Sequence, residues 1–230
     1  MVKDYFVDLH IHLGSTASGR PVKITASKNL TLENIIVEAR DRKGLHMIGI
    51  IDCHVPEVIV QLEQWKEEGN VVEEDGGGLS FQGLTLLLGS EIEIYDENCK
   101  GPIHVLCFFP TLERMRDFSD WLSSRVTNVT LSSQRMYENG KTLQQKVQEL
   151  DGLFIPAHIF TPFKSLYGKG VEYSLREVFE PSLINAVELG LSSNTEMASS
   201  ITELSTYPFL TNSDAHSLSK IAREYQMIRM

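Results

Sequence analysis

The chain has few cysteines and no long apolar run, and these shortages disfavour whole classes of protein. Its three cysteines, Cys53, Cys99 and Cys107, are widely spaced and form neither a disulfide framework nor a CxxC zinc pattern. A reducing, cytoplasmic compartment is therefore expected. No apolar stretch reaches the roughly 18 residues of a membrane span, and acidic residues interrupt the N-terminus too early for a signal peptide. We expect neither membrane insertion nor secretion.

Positive charge is also scarce in this sequence. The 21 lysines and arginines are outnumbered by 31 acidic residues, which leaves a net charge of −10. This charge disfavours long-range attraction to nucleic acid, although bound divalent ions would reverse it locally. The hydrophobic content of 42% is ordinary, and 230 residues suit one α/β domain, 1–230, with a substantial core.

Short apolar segments alternate with helical ones along the chain. Seven segments are predicted as strands: 5–9, 45–51, 84–90, 103–109, 153–157, 186–190 and 208–212. Helices are predicted at 32–43, 57–68, 112–125, 142–150 and 196–205, with long loops at 13–29 and 69–83. Such alternation predicts a mainly parallel sheet, and seven strands in this length suggest a distorted (β/α) barrel.

Histidines and carboxylates occur in pairs near both ends of the chain. Asp-Leu-His10-Ile-His12 and Ser-Asp214-Ala-His216 each place two potential metal ligands one residue apart. On an extended strand such residues point to the same side, so each pair can converge on one point. Five further candidates lie between them: Asp52, His54, Glu91, His104 and His158.

Most of these candidates share a position relative to the predicted strands. Those at or just past the C-terminal end of a strand are His10, Asp52, His54, Glu91, His158 and Asp214. In (β/α) barrels that rim carries the active site. His104 departs from the rule because it begins its segment, so either that strand starts earlier or His104 reaches the site from elsewhere.

Imidazole and carboxylate ligands together suit Zn²⁺, Mn²⁺, Fe²⁺ or Mg²⁺. Two such ions about 3.5–4 Å apart can bind and stabilise the attacking and leaving oxygens of a phosphoryl group. A bridging carboxylate is useful between them, and Glu91 in Gly-Ser-Glu91-Ile-Glu is the candidate bridge. The sequence therefore predicts a site for more than one divalent ion.

The ordered motifs around these residues resemble those of the PHP (polymerase and histidinol phosphatase) superfamily. The resemblance implies a distorted seven-stranded barrel that hydrolyses phosphoesters with two or three divalent ions. It implies three ligand sets: His10, His12, Glu91 and Asp214; Glu91, His104 and His158; and His54 with His216. Ser18 stands where the superfamily commonly has a third-ion ligand, so the third site is open, with Asp52 as a possible replacement.

The linking segments are similar to those of the endonuclease Q family. They include Pro-Ala-His158-Ile-Phe-Thr-Pro-Phe-Lys-Ser-Leu-Tyr-Gly and Asn-Ser-Asp214-Ala-His216-Ser. The resemblance implies cleavage of DNA on the 5′ side of a deaminated base (hypoxanthine, uracil or xanthine) or an abasic site. Members of that family continue into a zinc module and a helical region, so we expect this chain to be the N-terminal part of a longer protein.

Roles for individual residues follow from the resemblance. Asp52 or Asp214 is expected to orient the nucleophile, and a flipped nucleotide would be read in a pocket. Basic residues Arg20 and Lys28 of loop 13–29, and Lys164 of loop 161–170, are the candidates for contact with DNA. Three alternatives stay open: a small-molecule phosphomonoesterase of the histidinol-phosphatase type, a polymerase-associated proofreading module, and a metal barrel that binds DNA without cutting it.

Overall fold

The computed structural model describes residues 2–229, which form a mixed α/β fold. The strands are β1 (Asp4–Ile11), β2 (Met47–Ile50), β3 (Val72–Glu73), β4 (Leu79–Phe81), β5 (Leu84–Ile94), β6 (Ile103–Phe109), β7 (Arg135–Met136), β8 (Leu153–Pro156), β9 (Val187–Glu188), β10 (Phe209–Leu210) and β11 (Gln226–Arg229). The α-helices are α1 (Leu32–Val37), α2 (Pro56–Glu67), α3 (Leu112–Ser123), α4 (Gly140–Glu149) and α5 (Thr195–Ser199). Wider π-helical turns cover Glu38–Arg42 and Leu166–Gly170, and 3₁₀ turns cover Leu175–Glu177, Pro181–Leu183, Thr202–Leu204 and Leu218–Lys220.

The strands form one large sheet and one small one. Nine strands belong to the large sheet, in the order β11-β1-β2-β5-β4-β3, with β6 and β7 also paired to β5 and β8 paired to β6. Strands β9 and β10 pair separately and in parallel. The predicted closed seven-stranded barrel is therefore not confirmed, because the strand ladders of residues 2–229 do not join into a ring.

Strand direction changes within the large sheet, which corrects the expected mainly parallel arrangement. Strands β1, β2 and β5 run parallel, whereas β6 runs antiparallel to both β5 and β8. The start of β6 therefore lies beside the ends of β5 and β8, with His104 opposite Glu93. This reversal explains why His104 begins its strand and yet lies at the same edge of the sheet as the other candidates.

The helix after loop 13–29 begins where the sequence predicts. The hydroxyl of Thr31 accepts a hydrogen bond from the backbone N–H of Asn34, which makes Thr31 the N-cap. Leu30 and Ile35, spaced as a hydrophobic staple, are both fully buried. The predicted helix 32–43 is continuous but changes from α to π geometry after Val37.

Several boundaries differ from those predicted. The glycine-rich segment 69–83 contains the short hairpin β3–β4, and only α5 and a 3₁₀ turn occupy the predicted helix 196–205. Strand β11 was not predicted, and it pairs antiparallel with β1, the strand that carries His10. Short strands of two to four residues carry too little periodic pattern to be recognised from sequence alone.

The core lies between the sheet and the helices. Helices α2 and α3 pack over the sheet, where the rings of Phe109 and Phe118 are 4.5 Å apart. Cys53 and Cys107 are fully buried, as the sequence analysis expects. Among residues 2–229, no helix is both long enough and apolar enough to cross a bilayer.

Candidate metal centre and cavity

Two groups of potential metal ligands lie side by side. The first contains His10, His12 and Asp214, and the second contains Glu91, His104 and His158, with the ligand atoms of each group within 4.8 Å of one another. Glu91 faces both groups. Its Oε1 lies 3.5 Å from Nε2 of His10 and 2.9 Å from Nδ1 of His104. Its Oε2 lies 3.6 Å from Nε2 of His12, so the position of Glu91 matches that of a bridging carboxylate.

His10 of β1 and His12, which follows the end of that strand, are each held by a carboxylate on the side away from the cluster. Nδ1 of His10 donates to Oε1 of Glu188 at 2.9 Å, and Nδ1 of His12 donates to Oδ2 of Asp52 at 3.1 Å. These bonds direct Nε2 of each ring toward the cluster, as in metal-binding histidines. Both Nε2 atoms are buried and have no hydrogen-bond partner. An ion would satisfy both atoms, so the residues present fit divalent metal binding.

The backbone brings Asp214 to the end of β1. The N–H of Ala215 donates to the carbonyl of His10 at 3.1 Å, and the N–H of His12 donates to the carbonyl of Ala215 at 3.2 Å. This short parallel pairing joins residues that are about 200 positions apart in sequence. The i, i+2 alternation along β1 then turns His10 and His12 toward Asp214.

The backbone is strained at two residues of the cluster. Asp214 has a φ of 47° and His158 a φ of 34°, in the left-handed region that non-glycine residues rarely adopt. Such conformations cost about 1–3 kcal/mol each and persist at functional sites because the surroundings hold them. Gly190, with a φ of 75°, leaves space for His158, since a Cβ at Gly190 would lie 2.7 Å from Cβ of His158.

Burial and neighbouring charges act in opposite directions on the pKa values of the cluster. Burial favours the neutral form of Glu91, but the charges of His104 and Lys23 outweigh it and hold the pKa of Glu91 well below its ordinary value. Burial likewise opposes ionisation of Asp214, whose pKa is nevertheless lowered by His10 and His12. Burial acts to lower the pKa of His10, yet Glu188 and Asp214 raise it well above 6.5. Without ions the cluster is therefore a network of ion pairs, and metal binding must displace a proton from His10.

The residues expected at a third ion are not gathered in the same way. Nε2 of His54 donates to the carbonyl of Leu131 at 3.4 Å, and its Nδ1 accepts from the hydroxyl of Ser90 at 2.8 Å. His216 lies beside His12, with ring centroids 4.7 Å apart, while Ser18 is exposed. In the described part of the chain, neither His54 nor His216 belongs to a group of three possible ligands. A third ion stays a prediction.

Asp52 lies behind His12 and does not line the cavity. It is fully buried, and its Oδ2 also accepts the backbone N–H of Leu13 at 2.8 Å. The charge of His12 lowers the pKa of Asp52 against the effect of burial. This geometry favours a role in orienting His12, whereas contact between Asp52 and a nucleophile stays a prediction.

A cavity of about 510 Å³ opens over the cluster. Cluster residues Glu91, His104, His158, Asp214 and His216 form part of its wall. The rest of the wall comes from 22–25, 131–134 and the loop after His158, including Thr161, Phe163 and Lys164. This volume falls within the usual range for small-molecule sites and would accept one nucleotide unit.

The three basic residues predicted to bind substrate occupy different positions. Lys164 lines the cavity, where its Nζ lies 3.0 Å from Oε2 of Glu93. Arg20 is exposed and faces Glu57 at 3.8 Å, and Lys28 is exposed on the same loop. The structure therefore brings Lys164 to the cavity and leaves Arg20 and Lys28 outside its lining, where their contact with DNA stays a prediction.

No family model matches the chain, but related proteins and structures do. YqxK of Bacillus subtilis (strain 168), described as uncharacterized, is 63% identical over 224 residues, which cover 97% of this chain and 58% of YqxK. The lesion-specific endonuclease PfuEndoQ from Pyrococcus furiosus has a similar structure, with a TM-score of 0.78 and 30% identity over 98% of this chain and 52% of that chain. The chain is therefore similar over nearly its whole length to endonuclease Q, and it shares the fold of PHP-like metal-dependent phosphoesterases.

Two further structures extend this comparison. Endonuclease Q in complex with a 27-mer duplex substrate, with an abasic lesion at its active site, gives a TM-score of 0.77 at 30% identity over 99% of this chain and 53% of that chain. A two-domain protein from Bacteroides vulgatus ATCC 8482 contains a predicted PHP-like metal-dependent phosphoesterase and gives a TM-score of 0.54 at 12% identity, covering 95% and 54% of the two chains. The latter likeness shows the PHP fold alone.

The chain spans 58% of YqxK and about half of each endonuclease Q chain. It contains two groups of possible metal ligands, and the proteins to which it is similar include an endonuclease and a predicted metal-dependent phosphoesterase.

Two polar residues of the site are not assigned by the sequence analysis. Glu188 binds His10 and also accepts the backbone N–H of His158 at 2.8 Å, so one carboxylate orients residues of both groups. Lys23 places its Nζ 3.1 Å from Oε2 of Glu91. Glu188 could have been found from the sequence, because it is an acidic residue within the apolar strand segment 186–190. Glu91 has the same kind of position in its own strand. Lys23 is one of several basic residues in its loop, and sequence spacing does not single it out.

Proposed function

We propose that this chain is the metal-dependent nuclease part of an endonuclease Q-type DNA repair enzyme. It would hydrolyse the phosphodiester on the 5′ side of a deaminated base or an abasic site. The observation that carries the proposal is Glu91 at the junction of two ligand groups beneath a nucleotide-sized cavity. Identity of 30% to endonuclease Q over nearly the whole chain supports the choice of substrate.

The ligand groups would hold two divalent ions, Zn²⁺, Mn²⁺, Fe²⁺ or Mg²⁺. His10, His12, Glu91 and Asp214 would hold one ion, and Glu91, His104 and His158 the other. Ions in such a pair supply Lewis-acid polarisation of a phosphoryl oxygen and activation of water. The protein holds the ligands in position through Glu188 and Asp52.

Asp214 is the residue proposed to orient the nucleophile. Its side chain lines the cavity and is about one-third exposed, whereas Asp52 is fully buried. A carboxylate that is open to the cavity can accept a hydrogen bond from an entering water and so orient it, and the lowered pKa keeps Asp214 ionised for that role.

The loop after His158 would contact the damaged nucleotide. Phe163 is 71% exposed at the cavity wall, and Nζ of Lys169 lies 5.3 Å from the centre of its ring. An exposed aromatic ring suits stacking on an unstacked base, and Lys164 suits contact with a phosphate. We expect the double substitution Phe163→Ala and Lys164→Ala to weaken DNA affinity at least tenfold, as measured by fluorescence anisotropy. Unchanged affinity and cleavage would exclude this role of the loop.

The test uses a labelled duplex with one deoxyinosine, incubated with Mn²⁺ or Mg²⁺. This chain would be assayed beside Asp214→Asn, with the exposed Asp117→Asn of α3 as a matched control. We expect a nick on the 5′ side of the lesion from the wild-type and control proteins and none from Asp214→Asn. Equal cleavage of an undamaged duplex would refute lesion specificity.

A small-molecule phosphomonoesterase of the histidinol-phosphatase type is the second candidate. The cavity volume suits a small phosphate ester, and the negative net charge gives no general attraction to DNA. If this chain ignores the lesion and hydrolyses small phosphomonoesters, this second candidate replaces the first.

A further inference from the structure

Lys23 occupies a defined position in the floor of the cavity. Its Nζ donates to Oε2 of Glu91 at 3.1 Å and to the hydroxyl of Ser133 at 2.5 Å, and its side chain is only 14% exposed. The backbone on both sides is fixed, because the N–H of Lys23 donates to the carbonyl of Leu13 at 2.9 Å and the N–H of Val22 donates to the carbonyl of Gly14 at 3.0 Å. The ammonium group is therefore held in place by both its backbone and its side-chain partners.

The charge of Lys23 exceeds what the metal cluster needs. Five buried or half-buried carboxylates lie around the two ligand groups: Asp52, Glu91, Glu93, Glu188 and Asp214. Glu93 is paired with Arg135 and Lys164, and the charges of the other four would balance two divalent ions. With Glu91 shared between those ions, the Lys23 ammonium within 4 Å of it would lack a counter-charge of its own, and a buried charge is costly unless an anion compensates it.

The cavity offers the place for such an anion. Lys23, Glu91, Ser133 and Asp214 line the same wall, so an anion that reaches the ligand groups also reaches the ammonium group. Lys164, by contrast, is about half exposed and paired with Glu93. Among the cavity-lining residues of the described chain, Lys23 and Lys164 are the two lysines, and Lys23 is the more buried.

We propose that Lys23 binds the substrate phosphate directly, with Glu91 and Ser133 fixing its ammonium group beside the reacting centre. A lysine ammonium binds phosphate as a point charge that tolerates several oxygen geometries, which suits a group whose charge changes during reaction. The inference rests on the proposed function only in taking the substrate to be a phosphate ester.

The test measures binding of inorganic phosphate to the chain loaded with Mn²⁺, for the wild type, Lys23→Met and Lys23→Arg. Lys141→Met, at an exposed lysine of α4 outside the cavity lining, is the matched control. Calorimetry gives the phosphate affinity, and elemental analysis gives the number of ions per chain. We expect Lys23→Met to weaken phosphate binding roughly 10- to 100-fold, with the ion content unchanged. Lys23→Arg should restore part of the affinity, and Lys141→Met should match the wild type.

Three outcomes would overturn the inference. The first is a phosphate affinity of Lys23→Met within about twofold of that of the wild type. The second is loss of the bound ions from Lys23→Met. The third is a metal-loaded wild type that binds no phosphate. Cleavage of the deoxyinosine duplex by the wild type is assayed beside these measurements. Lesion cleavage without Lys23-dependent phosphate binding would refute the inference alone, and phosphate binding without lesion cleavage would refute the proposed function alone.

Discussion

Glu188 connects the two ligand groups at the scale of single residues. Its carboxylate accepts from the ring of His10, from the backbone of His158 and from the side-chain amide of Asn212 at 2.8 Å. Burial opposes its ionisation, but the charge of His10 outweighs burial and lowers the pKa of Glu188. One ionised group therefore fixes the tautomer of His10 and the position of His158.

The substitution Glu188→Gln tests this orienting role. An amide keeps the size of the side chain but removes the charge, so we expect metal affinity to fall about 10- to 100-fold. Titration with Zn²⁺ or Mn²⁺ measures the effect, with Glu196→Gln of α5, an exposed position, as the control. Wild-type metal affinity in a folded Glu188→Gln protein would contradict the assignment.

Kinetic measurements can distinguish two possible roles of Asp52. If Asp52 orients His12, the substitution Asp52→Asn should weaken metal affinity about tenfold, and saturating metal should restore kcat to within a few-fold of the wild type. If Asp52 instead contacts the nucleophile, kcat should stay low at every metal concentration. Measurement of kcat against Mn²⁺ concentration distinguishes these results, with Asp117→Asn as the control.

The antiparallel strand β6 decides the shape of the site at the scale of elements. Because β6 runs against β5, His104 faces the end of β5, and Glu93 lies opposite it in the ladder. Glu93 then binds Arg135 of β7 at 2.8 Å and Lys164 at 3.0 Å. One carboxylate thus ties β5 to β7 and to the loop after His158.

This link should make stability depend on acid pH. Burial opposes ionisation of Glu93, but hydrogen bonds from His104, Lys164 and Arg135 outweigh it and lower the pKa from 4.5 to about 2. The stabilisation is therefore complete above about pH 4.5 and is lost as the pH falls toward 2. We expect Glu93→Gln to lower the free energy of unfolding by about 1–3 kcal/mol at pH 7, because both cations are partly exposed.

Urea denaturation at pH 7 and pH 3 measures this difference between Glu93→Gln and the wild type. The difference should shrink at pH 3, whereas Glu97→Gln, at an exposed position nearby, should match the wild type at both values. An equal difference at both pH values would show that the charge of Glu93 contributes nothing.

The ligand groups join distant parts of the chain at the scale of the whole molecule. Their residues come from β1, β5, β6, the end of β8 and the segment after β10. A divalent ion bound to the folded chain alone should therefore stabilise the entire domain by mass action. The proton held on His10 should make this stabilisation stronger at pH 8 than at pH 6.

Thermal unfolding with and without Mn²⁺ or Zn²⁺ tests this coupling. At 100 times the dissociation constant an ion contributes about 2.7 kcal/mol, or a rise in Tm of roughly 5–10 °C. His12→Ala should remove the response, whereas His46→Ala, outside both ligand groups, should keep it. A Tm that is unaffected by either ion and by EDTA would exclude a metal site coupled to folding.

The spacing of residues by itself pointed to most members of the two groups of potential metal ligands. Alternation along an extended strand turns His10 and His12 to one side whatever the surrounding fold, and the carboxyl ends of parallel strands meet at one edge. The N-cap Thr31 and the buried cysteines are likewise local consequences of composition. These features depend on neighbours within a few residues, which is why they are readable in the sequence.

Only the tertiary structure decided the rest. Placement of His104 required the antiparallel direction of β6, and the supports Glu188 and Lys23 meet their partners across 178 and 68 positions of sequence. Within residues 2–229, strand ladders that do not close also replaced the predicted barrel. Pairing direction, closure and long-range hydrogen bonds are set by how elements pack together, and a local sequence pattern carries no information about that packing.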